Sequence, residues 1–178
     1  MRPPFTIKYI ISSTVYSEFK NRTKIDFLVK YSIEEYEVSM MIISEKKVEV
    51  RYAETDAMGV VYHANYLVWF EIGRTALIKE LGFNYADMEA QGVISPVIDL
   101  NVSYKKSLRY GQSPTIKTKI KSLSPLKVIY DYEILNEESE ICCIGSSTHV
   151  LVAKDTFRPI KFKKSFPDWY EAYEKAME

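Results

Sequence analysis

The chain has 178 residues, 47% of them hydrophobic and 27% charged, the size and composition of one globular domain with a single core. Its 24 Lys and Arg balance 24 Asp and Glu, so no global field draws it toward nucleic acid or an anionic membrane, and neither is expected as a partner. No apolar run approaches the roughly 20 residues of a membrane-spanning helix. The N-terminus lacks an apolar core followed by a small-residue cleavage site. Cys142 and Cys143 are adjacent and, on a strand, would point to opposite faces, so they read as reduced thiols. These features predict a cytoplasmic protein. His63 and His149 are the only histidines, and without separated Cys pairs no metal site is expected.

Residues 1–45 mix aromatic, basic and acidic residues without sustained periodicity and read as an N-terminal arm. Met40 and Met41 close to its end suggest a translation start there, which would make the preceding segment a gene-model extension. Regular patterning then marks a domain over 46–165, followed by a short C-terminal helix over 166–178. From Lys46 to Tyr52 apolar and charged residues alternate, predicting the first strand. Residues 53–61 form a loop containing Gly59. Tyr66, Trp69, Phe70, Ala76, Leu77 and Leu81 then recur at helical spacing up to Gly82, a C-cap residue. Gly73 lies on the same stripe, where its cost of about 1 kcal/mol in helix propensity makes sense if the backbone must approach a sheet closely. A second, short helix is predicted over Tyr85–Gln91, ending at Gly92. Strand alternation follows at Ile98–Tyr104, Ile116–Lys121, Val128–Ile134 and Ile141–Lys154, and Pro167 opens the final helix carrying Trp169, Tyr173 and Met177.

The order of strand, long helix and four further strands predicts an α+β fold in which one helix covers one face of an antiparallel sheet. A single helix leaves apolar sheet surface to be covered, most simply by a second copy of the chain, so a homodimer or a homotetramer is expected.

Asp56 stands in the Gly-containing loop just before the long helix. Free N–H groups at a helix N-terminus can hold a developing oxyanion, and a carboxylate beside them can attack a carbonyl or activate water. An Asp in this position also serves as an N-cap or loop stabiliser. The residues Tyr52-Ala-Glu-Thr-Asp56-Ala-Met-Gly-Val-Val-Tyr62-His63-Ala-Asn65-Tyr66 closely resemble the signature of 4-hydroxybenzoyl-CoA thioesterase-like proteins, most of all the bacterial Tol-Pal-associated acyl-CoA thioesterases. The resemblance runs from about Val48 to Phe162. It implies the hotdog fold, about five antiparallel strands wrapped around one long helix, and a dimer with active sites at the subunit interface. It further implies hydrolysis of acyl-coenzyme A, with no cofactor because coenzyme A is part of the substrate.

Carried over by motif, Asp56 matches the catalytic nucleophile or general base, and His63 the position whose backbone N–H polarises the thioester carbonyl. The His63 side chain would contact substrate or water, or simply bond at the helix start. Tyr62 and Asn65 would shape the pocket and brace the loop, and Gly59 would permit the turn. Lys105, Lys106 and Arg109 would meet the phosphates of coenzyme A or form a solvated loop, although Ser107, Leu108 and Gln112 depart from the family's usual residues there. Glu71 reads as a structural carboxylate whose spacing to Arg74 suits an ion pair, and His149 as a core or interface histidine. No Gly-x-Ser-x-Gly elbow or Gly-rich phosphate loop is present. Two other readings remain at this point: a hotdog dehydratase acting on hydroxyacyl thioesters, and a noncatalytic acyl-CoA-binding regulator.

Overall fold

A computed structural model describes residues 41–177. The N-terminal arm, as far as residue 40, lies outside the described residues. The chain order is β1 (Ser44–Lys47), a 3-10 turn (Tyr52–Glu54), α1 (Asn65–Glu80), α2 (Tyr85–Ala90), β2 (Val93–Ile94), β3 (Val97–Tyr104), β4 (Thr115–Leu123), β5 (Lys127–Leu135), β6 (Ile141–Val150), β7 (Val152–Ala153), α3 (Phe162–Ser165) and α4 (Pro167–Met177). The main sheet runs β1-β4-β5-β6-β3 with every neighbouring pair antiparallel, and β2 and β7 form a separate two-stranded ribbon.

The period-2 patterns fall where the alternation predicts them, with small shifts at the ends. Ile116, Thr118 and Ile120 of β4 are buried while Lys117, Lys119 and Lys121 face outward. The first strand is the main correction. It covers Ser44–Lys47 and not Lys46–Tyr52, because its neighbour β4 begins just after Pro114. Val48 and Val50 still donate to the carbonyls of Pro114 and Gln112, at 3.0 and 2.9 Å. Proline has no N–H to return to Val48, so the ladder is broken there, and the next return bond comes from the Gly111 N–H to the Val50 carbonyl at 3.1 Å. The last predicted strand is likewise split, since Leu151 parts β6 from β7.

Helix α1 is the spine of the domain. Tyr66, Trp69, Phe70, Gly73, Leu77 and Ile78 are buried against the sheet, Ile78 replacing Ala76 and Leu81, which are only partly covered. The helix ends in a Schellman motif. Gly82, at φ 88°, donates to Lys79 and Phe83 donates to Ile78, at 3.0 and 3.1 Å. Its middle lies hard against β4, for a Cβ at Gly73 would stand 2.7 Å from Ile116 Cγ2 and closer still to Thr118 Oγ1. On β6, a Cβ at Gly145 would meet the Phe70 ring and the Asn101 carbonyl, both at 2.6 Å. Phe70 can therefore lie over Gly145 and stack on Tyr132, with ring centroids 4.3 Å apart. The C-terminal helix α4 packs on β4 and brings Trp169 face to face with Phe83 at 4.8 Å.

Two glycines thus set how closely α1 meets the sheet. Gly145→Ala and Gly73→Ala are each expected to cost about 1–3 kcal/mol through overpacking, which at Gly73 outweighs the roughly 1 kcal/mol gained in helix propensity. Denaturant unfolding of the two variants checks this; an unchanged or raised midpoint for either would contradict it.

Candidate functional site

The segment before α1 folds into a small hairpin. Thr55 and Val61 bridge, the Asp56 N–H donates to Val60 at 2.9 Å, and the Gly59 N–H turns back to the Asp56 carbonyl at 2.9 Å. Gly59 takes φ 72°, the left-handed conformation a side chain would strain. Asp56 is half-buried. Its Oδ1 accepts the Met58 N–H at 2.8 Å, and Oδ2 accepts nothing within the described residues. The carboxylate is therefore oriented by one bond and open at its other oxygen.

Helix α1 begins at Asn65 with Ala64 as N-cap and no side-chain cap. Alanine at this position forgoes about 1 kcal/mol relative to Ser, Thr, Asp or Asn, and in return the first donors of the helix are not consumed by a side chain. The His63 N–H makes no hydrogen bond within the described residues. The His63 carbonyl is held by the Tyr104 hydroxyl at 3.1 Å, and the Tyr62 and His63 rings sit 4.2 Å apart, both exposed. Asn65 Nδ2 donates to the Glu54 carbonyl at 2.7 Å, and Tyr62 N–H to the same oxygen at 2.8 Å.

A second loop, between β3 and β4, closes on the first. Val61 N–H donates to the Leu108 carbonyl at 2.8 Å, and Arg109 Nη1 reaches the Gly59 carbonyl at 3.0 Å. Arg109 is thus brought to the Asp56 loop. Lys105 is exposed at the end of β3, one residue past Tyr104. Lys106 is engaged by Glu140 in an ion pair. The geometry therefore gathers Asp56, Gly59, Tyr62, His63, Asn65 and Arg109 at one end of α1, with Lys105 at the adjoining strand end.

Residues 50–170 match the thioesterase-like superfamily. The chain belongs to this superfamily. It is 57% identical over 136 residues to YneP of Bacillus subtilis, provisionally named an acyl-CoA thioesterase, covering 76% of this chain and 99% of that one. Escherichia coli YbgC, an acyl-CoA thioester hydrolase, is 30% identical over 116 residues, 65% of this chain and 83% of its own. Among solved structures, a DHNA-CoA thioesterase from Staphylococcus aureus superposes with a TM-score of 0.74 at 52% identity, over 76% of this chain and 91% of that one. The α+β hotdog fold expected from the sequence is thereby the fold of this thioesterase-like chain.

A cavity of about 320 Å³ lies elsewhere, under the later turns of α1, lined among others by Arg74, Ile78, Tyr130, Val97 and Trp169. None of the seven site residues expected from the sequence lines it. Glu71 and Arg74 both border it, yet they form no ion pair; Arg74 turns to the Tyr132 hydroxyl at 3.4 Å. Tyr132 in turn bonds Ser147 at 2.7 Å, Ser147 bonds His149 Nε2 at 2.8 Å, and His149 Nδ1 meets the Ser95 carbonyl at 3.2 Å. Both ring nitrogens of His149 are thus occupied inside the core. That removes it as the base a dehydratase would need. Among the described residues no helix is long and apolar enough to cross a membrane.

Two residues of the site escaped sequence reasoning. Tyr104 belongs to the strand alternation of Ile98–Tyr104, and only the fold shows its hydroxyl on the His63 carbonyl. Glu54 lies inside the quoted motif, where an acid three residues after Arg51 looks like a surface ion pair; in the structure it is buried at 5% exposure.

Burial, then the field of Arg74, lowers His149 to about 4, against the weaker raising effect of Ser95. The sign follows from linkage. Between the ordinary histidine pKa near 6.5 and about 4 the unfolded chain binds a proton that the folded chain refuses, so stability is full above about 6.5 and falls as pH drops toward 4. Unfolding free energies measured from pH 7.5 to 4.5 should show this decline. His149→Gln should flatten it, and an equally steep decline in that variant would assign the loss to other groups.

Proposed function

We propose that this protein hydrolyses acyl-coenzyme A to the free acid and coenzyme A, with the thioester carbonyl seated at the N-terminus of α1. The observation that carries this reading is that an Asp56 carboxylate oxygen and the His63 N–H, both without a hydrogen-bond partner among the described residues, flank one hairpin on the helix start. The naming of relatives at 57% and 30% identity supports the same substrate class. In the reaction, oxygen from Asp56 itself or from a water it deprotonates adds to the carbonyl carbon. The carbonyl oxygen becomes an oxyanion facing the His63 N–H and the positive end of the helix. The oxyanion then collapses, the C–S bond breaks, and the thiolate of coenzyme A leaves and takes up a proton. Where Asp56 has attacked directly, water hydrolyses the acyl-enzyme in a second, similar step. Arg109 and Lys105 supply positive charge for the phosphates at the mouth. Coenzyme A is substrate, so no cofactor is required. The buried, unpaired thiols Cys142 and Cys143 fit the reducing cytoplasm.

We place the working unit as a homodimer formed along β3. The two edges of the main sheet are unlike. β1 presents Glu45, Lys46 and Lys47, charges that discourage further pairing. β3 presents Val97, Ile98, Leu100 and Tyr104, each 41–49% exposed, along an edge that no strand pairs among the described residues. A two-fold antiparallel pairing centred on Leu100 or Asn101 brings the Val97 end of one strand, at the cavity, beside the Tyr104 end of the other copy's strand, where Tyr104 bonds that copy's own His63 carbonyl. The catalytic loop of one copy then lies over the cavity of the other, which accepts the acyl group.

Purified protein is expected to release thiol from acyl-CoA, and Asp56→Asn to lower kcat by about 10²–10⁴-fold, the usual range for a lost acid–base group, with KM little changed. Unaltered turnover in that variant would remove Asp56 from the chemistry, and binding without thiol release by the parent protein would favour the regulator. Ile98→Asp with Leu100→Lys should shift the mass in light scattering from dimer to monomer and abolish turnover. A parent protein that is monomeric at assay concentration yet fully active would overturn the shared site.

A further inference from the structure

We infer that Glu54 is a positioning residue, whose buried carboxylate clamps the Asp56 hairpin onto the first turns of α1 and so sets where the reactive oxygen stands relative to the helix donors. The inference rests on the hydrolase reading and deepens it. Glu54 works from both ends. Its carbonyl takes the N–H of Tyr62 and the amide of Asn65, at 2.8 and 2.7 Å, which closes the hairpin at its base and ties it to the helix start. Its carboxylate takes three more donors: the Arg51 N–H at 2.8 Å, Arg51 Nη2 at 2.9 Å and the Trp69 indole Nε1–H at 3.2 Å.

Five accepted bonds, beside the turn's own bond from the Glu54 N–H to the Arg51 carbonyl at 3.0 Å, are more than a 3-10 turn needs for its own stability. Trp69 is itself almost fully buried, at 1% exposure, and lies one turn beyond Asn65 on α1. The indole therefore offers a rigid anchor point on the helix. A surface ion pair would contribute little, but here the acid side is buried and only the Arg51 guanidinium remains in water. Burial pushes the Glu54 carboxyl up, and the bonds from Arg51 and Trp69 together more than offset this, leaving it below the usual carboxylate range. The clamp thus stays ionised through the neutral range. Between Glu54 and Asp56 stands one residue, Thr55, itself bridged to Val61. A displacement of Glu54 is consequently passed to Asp56 with little room for absorption.

Glu54→Gln keeps the shape but replaces one acceptor with an amide that faces Arg51 or Trp69 donor to donor. Trp69→Phe removes the anchor from the other end while leaving Glu54 and Arg51 in place. Each is expected to lower kcat roughly tenfold to a hundredfold, the scale of a misplacement of about 1 Å, with KM within about twofold of the parent. The double variant should lose no more than the worse single one, since both cut the same link. In proton–nitrogen NMR spectra the Trp69 indole signal should move in Glu54→Gln and stay in Asp56→Asn. The amides of Met58 and His63 should shift in both clamp variants. Unshifted loop amides would overturn the clamp whether or not thiol is released, whereas an inert parent protein with shifted loop amides would sink the hydrolase reading and leave the clamp standing. A kcat within twofold of the parent, or a fall in kcat/KM carried by KM alone, would also overturn it. Should Glu54→Gln fail to fold, Trp69→Phe decides the matter alone.

Discussion

The contact between α1 and β4 at Gly73 is the constraint from which the rest of the domain follows. With no side chain there, the helix axis lies directly against Ile116 and Thr118, and the neighbouring large residues spread to either side. Trp69 and Phe70 fill the space toward the N-terminal end, Leu77 and Ile78 toward the other. Phe70 in turn needs Gly145 beneath it to reach Tyr132. A helix seated this rigidly can present its N-terminus as a fixed electrostatic object. Since a dipolar site stabilises a developing charge only if it does not have to reorganise first, the packing of the helix middle is part of the chemistry proposed at its tip.

The tip itself is built against local stability. An alanine N-cap, a left-handed glycine and two exposed aromatic rings are poor choices for holding a helix end, and each leaves something open: N–H donors, a tight turn, an accessible surface. The surrounding bonds compensate from outside. Tyr104 holds the His63 carbonyl, Arg109 holds the Gly59 carbonyl, and Leu108 receives the Val61 N–H. All three come from the end of β3 and the loop after it. The basic loop thus has a structural task beside the phosphate contacts proposed for it, and the bond to Gly59 orients Arg109 while leaving it exposed.

Period-2 alternation and the helical stripe made the fold legible, because burial of one face leaves a direct mark on composition. β4 and β5 carry that mark cleanly. The limits of β1 were not legible, since they depend on Pro114, a residue more than 60 positions away whose missing N–H ends the ladder. β3 shows a different limit: Ile98, Leu100 and Tyr104 alternate like core residues yet are exposed in one chain, as alternation reports that a face is covered and not by what. At the site, Asp56, Gly59 and Asn65 stood out because a motif and a turn requirement point to them. Glu54 did not. Its spacing to Arg51 is the same whether the acid is in water or under Trp69, and only the fold distinguishes the two.

Strength of binding at the helix tip depends on what covers it. In a single chain Tyr62 and His63 face water, and a hydrogen bond to an oxyanion there competes with solvent on nearly equal terms. The interaction of unit charges at 4 Å rises from about 1 kcal/mol in bulk water to about 4 kcal/mol at the effective dielectric of a protein surface. The same donors therefore gain most of their catalytic value when a second surface excludes water. In the proposed dimer that surface is the Val97 end of the partner's sheet, which is apolar and adjoins a cavity. Such an arrangement makes assembly and catalysis depend on the same strand: β3 supplies the edge that pairs, the hydroxyl that fixes His63 and the wall that dries the thioester.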